Sequence, residues 1–136
     1  MRLPIVAPLW PVRGLRTEAE GPVLRVYAEA PIDGDQPYLR GHFPGFIVFP
    51  GVFIVEFVCQ SVALALGARA GGHAELRSLR SARFTAAVLP EDELSLVAEI
   101  TSTKDGHEVE ARCRRRDGQV AAEVSAIMVY PAGAHA

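Results

Sequence analysis

The stretch GHFPGFIVFPGVFIVEFVCQ, Gly41 to Gln60, is almost wholly apolar, turns twice at Pro-Gly, and carries His42 and, fourteen positions on, Glu56. Burying an unpartnered polar group costs several kcal/mol, and burying a charge costs more, so both residues need a structural or a chemical reason. A helix is expected to begin at Gly51, just after Pro50, and to end near Leu66, where GARAGG supplies breakers. Its apolar residues, from Val52, Phe53 and Ile54 to Val62, Leu64 and Leu66, cover every face. Such a helix has to be enclosed rather than laid on a surface.

Working outward, WPVRGLRT and PVLRVYAEA read as strands joined by a turn at EAEG, and PIDGDQPYLRG is a turn-rich lead into the histidine loop. Beyond the helix, ELRSLRSARFTAAV, LSLVAEITST, HEVEARCRRR and VAAEVSAIMVY read as strands. Asp-Gly between the last three is a hairpin signal. The expected order is ββαββββ. A curved antiparallel sheet wrapped around one long central helix satisfies both halves of the pattern. The expected class is therefore α+β, a single domain over 1–136 with 1–9 and 131–136 as irregular tails; this arrangement is the hot-dog fold, which periodicity alone does not separate from other α+β sandwiches.

A chain of 136 residues suits one core. Its net charge of -2 argues against general nucleic-acid binding. Cys59 and Cys113 share no metal-ligand spacing and imply reduced thiols. Pro4, Pro8 and Pro11 break any signal-peptide core. Val52 to Leu66 is too short, and with Glu56 and Gln60 too polar, for a bilayer crossing of about 20 residues. A cytoplasmic protein without membrane association is expected. His73, His107 and His135 fall in turn, strand and tail, form no metal spacing and take no role. RCRRRDG reads as a solvated hairpin end.

GHFPG followed by PGVFIVEFVCQ resembles the signature of the beta-hydroxyacyl-acyl carrier protein dehydratases, and SARFTAAVLPEDEL resembles the same family's later strand. The likeness covers roughly Trp10 to Tyr130. It departs at Ile47, where the family usually has proline, and in MRLPIVAPLW, where the family's N-terminal helix is not recognisable. The resemblance implies a hot-dog enzyme that dehydrates 3-hydroxyacyl thioesters on acyl carrier protein to trans-2-enoyl thioesters, in fatty acid or polyketide/polyene synthesis. It implies no metal and no cofactor beyond the carrier's phosphopantetheine. It also implies a homodimer or larger oligomer, since the histidine and glutamate of one site come from different subunits.

The reaction needs a base for the α-proton and an acid for the departing hydroxyl. Neutral His42 suits the first role, because imidazole titrates near working pH. Glu56 suits the second if an enclosed apolar site keeps a carboxylic acid protonated. The helix N-terminus at Gly51 and Val52 offers free N–H groups to the thioester oxygen, and glycine there permits close approach. Gln60, one turn beyond Glu56, is placed to hold the carboxyl. Arg77, Arg80 and Arg83 are candidates to meet an acidic carrier.

Three rivals stand beside this reading. A double-bond-isomerising relative would carry aspartate at position 56, and an acyl thioesterase would not need the histidine of GHFPG. A catalytically silent subunit paired with an active paralogue has the intact His42/Glu56 pair against it.

Overall fold

Every second residue of the segment Val23–Pro31 is buried: Leu24, Val26, Ala28 and Ala30 face inward while their neighbours face out. Leu94, Leu96, Ala98 and Ile100 repeat the alternation in Glu93–Thr103. This period of two is that of strands with one face on a core. The computed structural model describes residues 12–32, 51–70 (side chains to 67), 74–89 and 92–129. Within them lie β1 (Arg13–Glu20), β2 (Val23–Pro31), α1 (Gly51–Ala70), β3 (Glu75–Phe84), β4 (Glu93–Thr103), β5 (Gly106–Arg114) and β6 (Val120–Val129). The expected order ββαββββ is the observed one.

The six strands form one antiparallel sheet in the order β1-β2-β4-β5-β6-β3, so β1 and β3 are its edges. Two boundaries differ from the sequence expectation. Glu18 to Glu20 remain in β1, paired with Arg25, Leu24 and Val23, because the turn is made at Gly21, whose φ of 59° is left-handed. The helix runs through Gly67 to Ala70 rather than stopping near Leu66. One glycine costs a helix about 1 kcal/mol, and the burial of Ala65 and Leu66 beneath that turn outweighs it.

Helix α1 lays Ile54, Phe57, Val58, Val62 and Leu66 onto the inner face of the sheet, where Val26, Leu96, Ile100, Val109 and Met128 complete the core. Ser61 is the buried polar residue of this face, and its hydroxyl donates to the Phe57 carbonyl at 2.8 Å. On the opposite side Val52 is 67% exposed and Leu64 49% exposed, so the described residues enclose the helix on the sheet side only. The sheet stops at β3, and nothing among the described residues lies beyond it.

Strand β3 explains how a triplet pattern becomes a strand. Its sequence repeats as Leu76-Arg77-Ser78, Leu79-Arg80-Ser81 and Ala82-Arg83-Phe84, a period of three that a regular strand would scatter over both faces. Register shifts at Arg77 and Arg80 absorb one residue each: Leu76 pairs with Met128, Ser78 with Ile127, Leu79 with Ala126 and Ser81 with Ser125. Leu76, Leu79, Ala82 and Phe84 thereby lie opposite Met128, Ala126, Val124 and Ala122, all of them buried inner-face residues.

Candidate active site

Between the open face of α1 and the inner face of β3 lies a groove of about 680 Å³. Val52, Val55, Glu56, Cys59, Gln60 and Ala63 form its helix wall, and Leu76, Leu79, Ala82 and Phe84 form its strand wall, with Met128 and Ala74 also lining it. At one end Phe84 lies so close to Gly51 that a Cβ there would meet its ring at 2.8 Å. Glu56 on the helix wall and Ala82 on the strand wall both face this groove.

The helix repeat brings Glu56, Cys59, Gln60 and Ala63 to the same wall. Gln60 donates its Nε2–H to Glu56 Oε1 at 3.1 Å. Its own Oε1 is turned inward, buried and without a hydrogen-bond partner among the described residues. Burial, and then the neighbouring Glu56 carboxylate, push the Cys59 thiol up to about 11. Cys59 therefore stays a protonated thiol in the groove wall and is no nucleophile at neutral pH.

Four of the expected site residues, Gly51, Val52, Glu56 and Gln60, are on α1 and line or border this groove. His42 and Ile47 lie outside the described residues. Two observations bear on the expectations. Glu56, expected in an enclosed apolar site, is exposed on the groove wall, with no cover over it among the described residues. The ring of Phe84 stands beside the Gly51 Cα, where glycine was expected to permit close approach of substrate. Cys59, Ala82 and Phe84 were not singled out from sequence as groove residues. The triplet repeat of β3 is the signal that would have placed the last two.

The arginines of β3 make no open basic patch. Arg77 donates to the Asp105 carbonyl at 2.9 Å, and Arg80 pairs with Glu108 at 3.0 Å. Arg83 lines a second hollow, of about 470 Å³, on the outer face, where Arg112 and Arg114 stand among Glu99, Glu110 and Glu123 and the charges balance. The RCRRRDG segment is a hairpin end as expected: Arg112 pairs with Glu123, Arg114 donates to the Gly118 carbonyl, and Arg115 ties Asp117, Gln119 and the Ala87 carbonyl together. His107 is bonded through Nδ1 to Ser102 Oγ at 2.9 Å, across the β4–β5 hairpin. Among the described residues no acid, thiol and imidazole groups cluster as metal ligands, and no helix is long and apolar enough to cross a membrane.

Residues 18–125 match the ApeI-like family, described as ApeI dehydratase. The 3-hydroxyacyl-[acyl-carrier-protein] dehydratase FabZ of Ruminiclostridium cellulolyticum is 32% identical over 105 residues, 75% of this chain and 74% of that protein. Among solved structures, the dehydratase heterocomplex ApeI:P from Xenorhabdus doucetiae superposes with a TM-score of 0.60 at 20% identity, covering 84% of this chain and 94% of the other. A putative thioesterase, yhdA from Lactococcus lactis, superposes at 0.69 with 10% identity, covering 88% and 91%. Likeness at such identities establishes the shared hot-dog fold.

Proposed function

The chain belongs to the ApeI-like dehydratase family, and we propose that it removes water from 3-hydroxyacyl thioesters held on acyl carrier protein, giving trans-2-enoyl thioesters. The observation that carries this reading is Glu56, held by Gln60 in a groove lined mainly by apolar side chains. Glu56 is the acid: its proton goes to the leaving hydroxyl as the C3–O bond breaks. His42 is the base: it takes the α-proton, and the C–H electron pair becomes the C2=C3 double bond. Water leaves, and His42 returns its proton to Glu56. The N–H groups of the first turn, at Gly51 and Val52, stabilise charge developing on the thioester oxygen.

A second copy of the chain completes the site in this reading. β3 offers an unpaired strand edge, and Val52, Leu64, Leu76, Leu79 and Phe84 are exposed around Glu56. Covering that surface would bury Glu56 and bring the partner copy's histidine loop to it. The ApeI:P neighbour is a heterocomplex, which favours a second arrangement: a heterodimer in which a paralogue supplies one half of the site. The same elimination serves fatty acid and polyketide or polyene assembly.

Turnover of a 3-hydroxyacyl carrier by the purified protein alone tests the reading, with enoyl product followed by mass spectrometry. His42→Ala and Glu56→Ala are each expected to be inactive. After subunit exchange about half the dimers are mixed, each with one intact site, so activity returns to about a quarter of the unmutated level. A mixture that stays dead after verified exchange removes the shared site. An active homogeneous preparation removes the requirement for a paralogue, and thioester hydrolysis without enoyl product points to the thioesterase chemistry.

A further inference from the structure

The three triplets of β3 differ at one position that matters to the groove. Leu76 and Leu79 begin the first two, and both point inward; the third begins with Ala82. Ala82 is opposite Val124 on the sheet and lines the same groove as Glu56. A leucine in its place would complete the repeat, extend the apolar edge and take up space in the groove that holds the acid.

The other groups of the lining reinforce this. Val52 stands one helical turn before Glu56 and Gln60 one turn after it, while Cys59, Ala63, Leu76, Leu79 and Met128 present apolar and thiol surface, with Glu75 the other acidic side chain of the lining. A 3-hydroxyacyl thioester offers a polar end, the carbonyl and the hydroxyl-bearing carbon, and a hydrocarbon tail. We propose that Ala82 is the specificity-determining residue of this groove, leaving room beside Glu56 for the hydroxyl-bearing carbon while Leu79, Leu76 and Met128 bed the tail beyond it. The proposal rests on the dehydratase reading for its substrate class and adds a residue that neither touches the proton nor holds the acid.

Ala82→Leu, Ala82→Val and Ala82→Ser separate size from damage. Each is compared with the unmutated protein for oligomer mass, melting temperature, turnover, and calorimetric binding of a 3-hydroxyacyl pantetheine whose thioester is replaced by an unreactive amide. A filled methylene-scale pocket discriminates by about 10- to 200-fold, so Val is expected to weaken binding and kcat/KM roughly tenfold and Leu roughly a hundredfold. Serine, nearly isosteric with alanine, stays within about threefold. A correctly assembled Leu variant that binds and turns over like the unmutated protein overturns the proposal, and so does a Ser variant as impaired as Leu. Should Leu fail to assemble, the Val variant decides by the same criterion. Unmutated protein that binds the analogue but makes no enoyl product overturns the dehydratase reading while the binding series still judges Ala82. Unmutated protein that does not bind it overturns both.

Discussion

The ring of Phe84, at the end of β3, lies against Gly51, the first residue of α1, with its nearest atom 2.8 Å from where a Cβ would stand. That contact sets the first turn of the helix against the end of β3, at the sheet edge. Phe84 is 49% exposed, so its ring has somewhere to go if it is displaced. Gly51→Ala should therefore cost little in stability, within about 1 kcal/mol, because the swing of the ring offsets the alanine's helical advantage. Activity should suffer more than folding. A ring pushed into the groove mouth misplaces substrate by the order of an ångström, a displacement that can cost up to about 10²-fold. Unfolding curves beside kcat/KM check this, and unchanged kcat/KM would show that the ring clears the substrate path.

Glu56 and Gln60 should separate in kinetics. Glu56→Gln keeps the shape of the acid but delivers no proton, so kcat should fall by about 10²-fold or more with the fold intact. Gln60→Ala removes the bond that orients the carboxyl. Its loss should be roughly tenfold in kcat, the order of one hydrogen bond of about 1.4 kcal/mol, with KM nearly unchanged. A Gln60→Ala protein that loses KM alone would place Gln60 on the substrate rather than on Glu56.

The thiols give a pH dependence with a definite sign. Burial pushes Cys113 up to about 12, and burial with Glu56 pushes Cys59 up to about 11, from an ordinary thiol near 9. The folded state keeps protons that the unfolded chain gives up above pH 9. Their contribution is therefore complete below pH 9 and is lost as pH rises towards 11 and 12. The melting temperature of the Cys59→Ala/Cys113→Ala protein should decline less between pH 9 and 11 than that of the unmutated one. Iodoacetamide at neutral pH should leave Cys59 largely unmodified, although it lines the groove. Rapid alkylation there would show a thiolate. A protonated thiol also suits a site whose proposed product, an enoyl thioester, adds thiolates.

The sequence made the helix, its first residue and the strand order legible because their signals are local: a proline before Gly51, a period of two in β2 and β4, Asp-Gly at the hairpins. Glu56 and Gln60 were legible because residues four apart on a helix share a face. The exposure of Glu56 was not, since an apolar helix announces that it will be covered without saying by which chain. Phe84 and Ala82 were hidden for another reason. Their faces depend on two bulges, and a triplet repeat read at a period of two puts Leu76 and Leu79 on opposite sides of the sheet.

The bulges themselves can be tested by deletion. In the span Leu79-Arg80-Ser81-Ala82, Leu79 pairs with Ala126, Ser81 with Ser125 and Ala82 with Val124, so Arg80 is the residue without a partner position. Deleting it makes this span regular and leaves the bulge at Arg77, so that Leu76, Leu79 and Ala82 keep their inner-face partners and the pair with Glu108 is lost. That pair is solvent-exposed on both sides and contributes at most about 1 kcal/mol. By contrast, Glu110 sits in an unbroken register, with Glu99 on one side and Ser125 on the other. Deleting Glu110 moves every residue on one side of the cut to the opposite face, turning either Val109 or Ala111 and Cys113 out of the core. The protein lacking Arg80 should therefore remain soluble and melt cooperatively, with a loss of a few degrees, while the protein lacking Glu110 should not fold. Circular dichroism melts of the two deletions decide it. Equal damage from both would mean that the twist supplied by the bulges, and not the facing of the leucines, is what β3 requires.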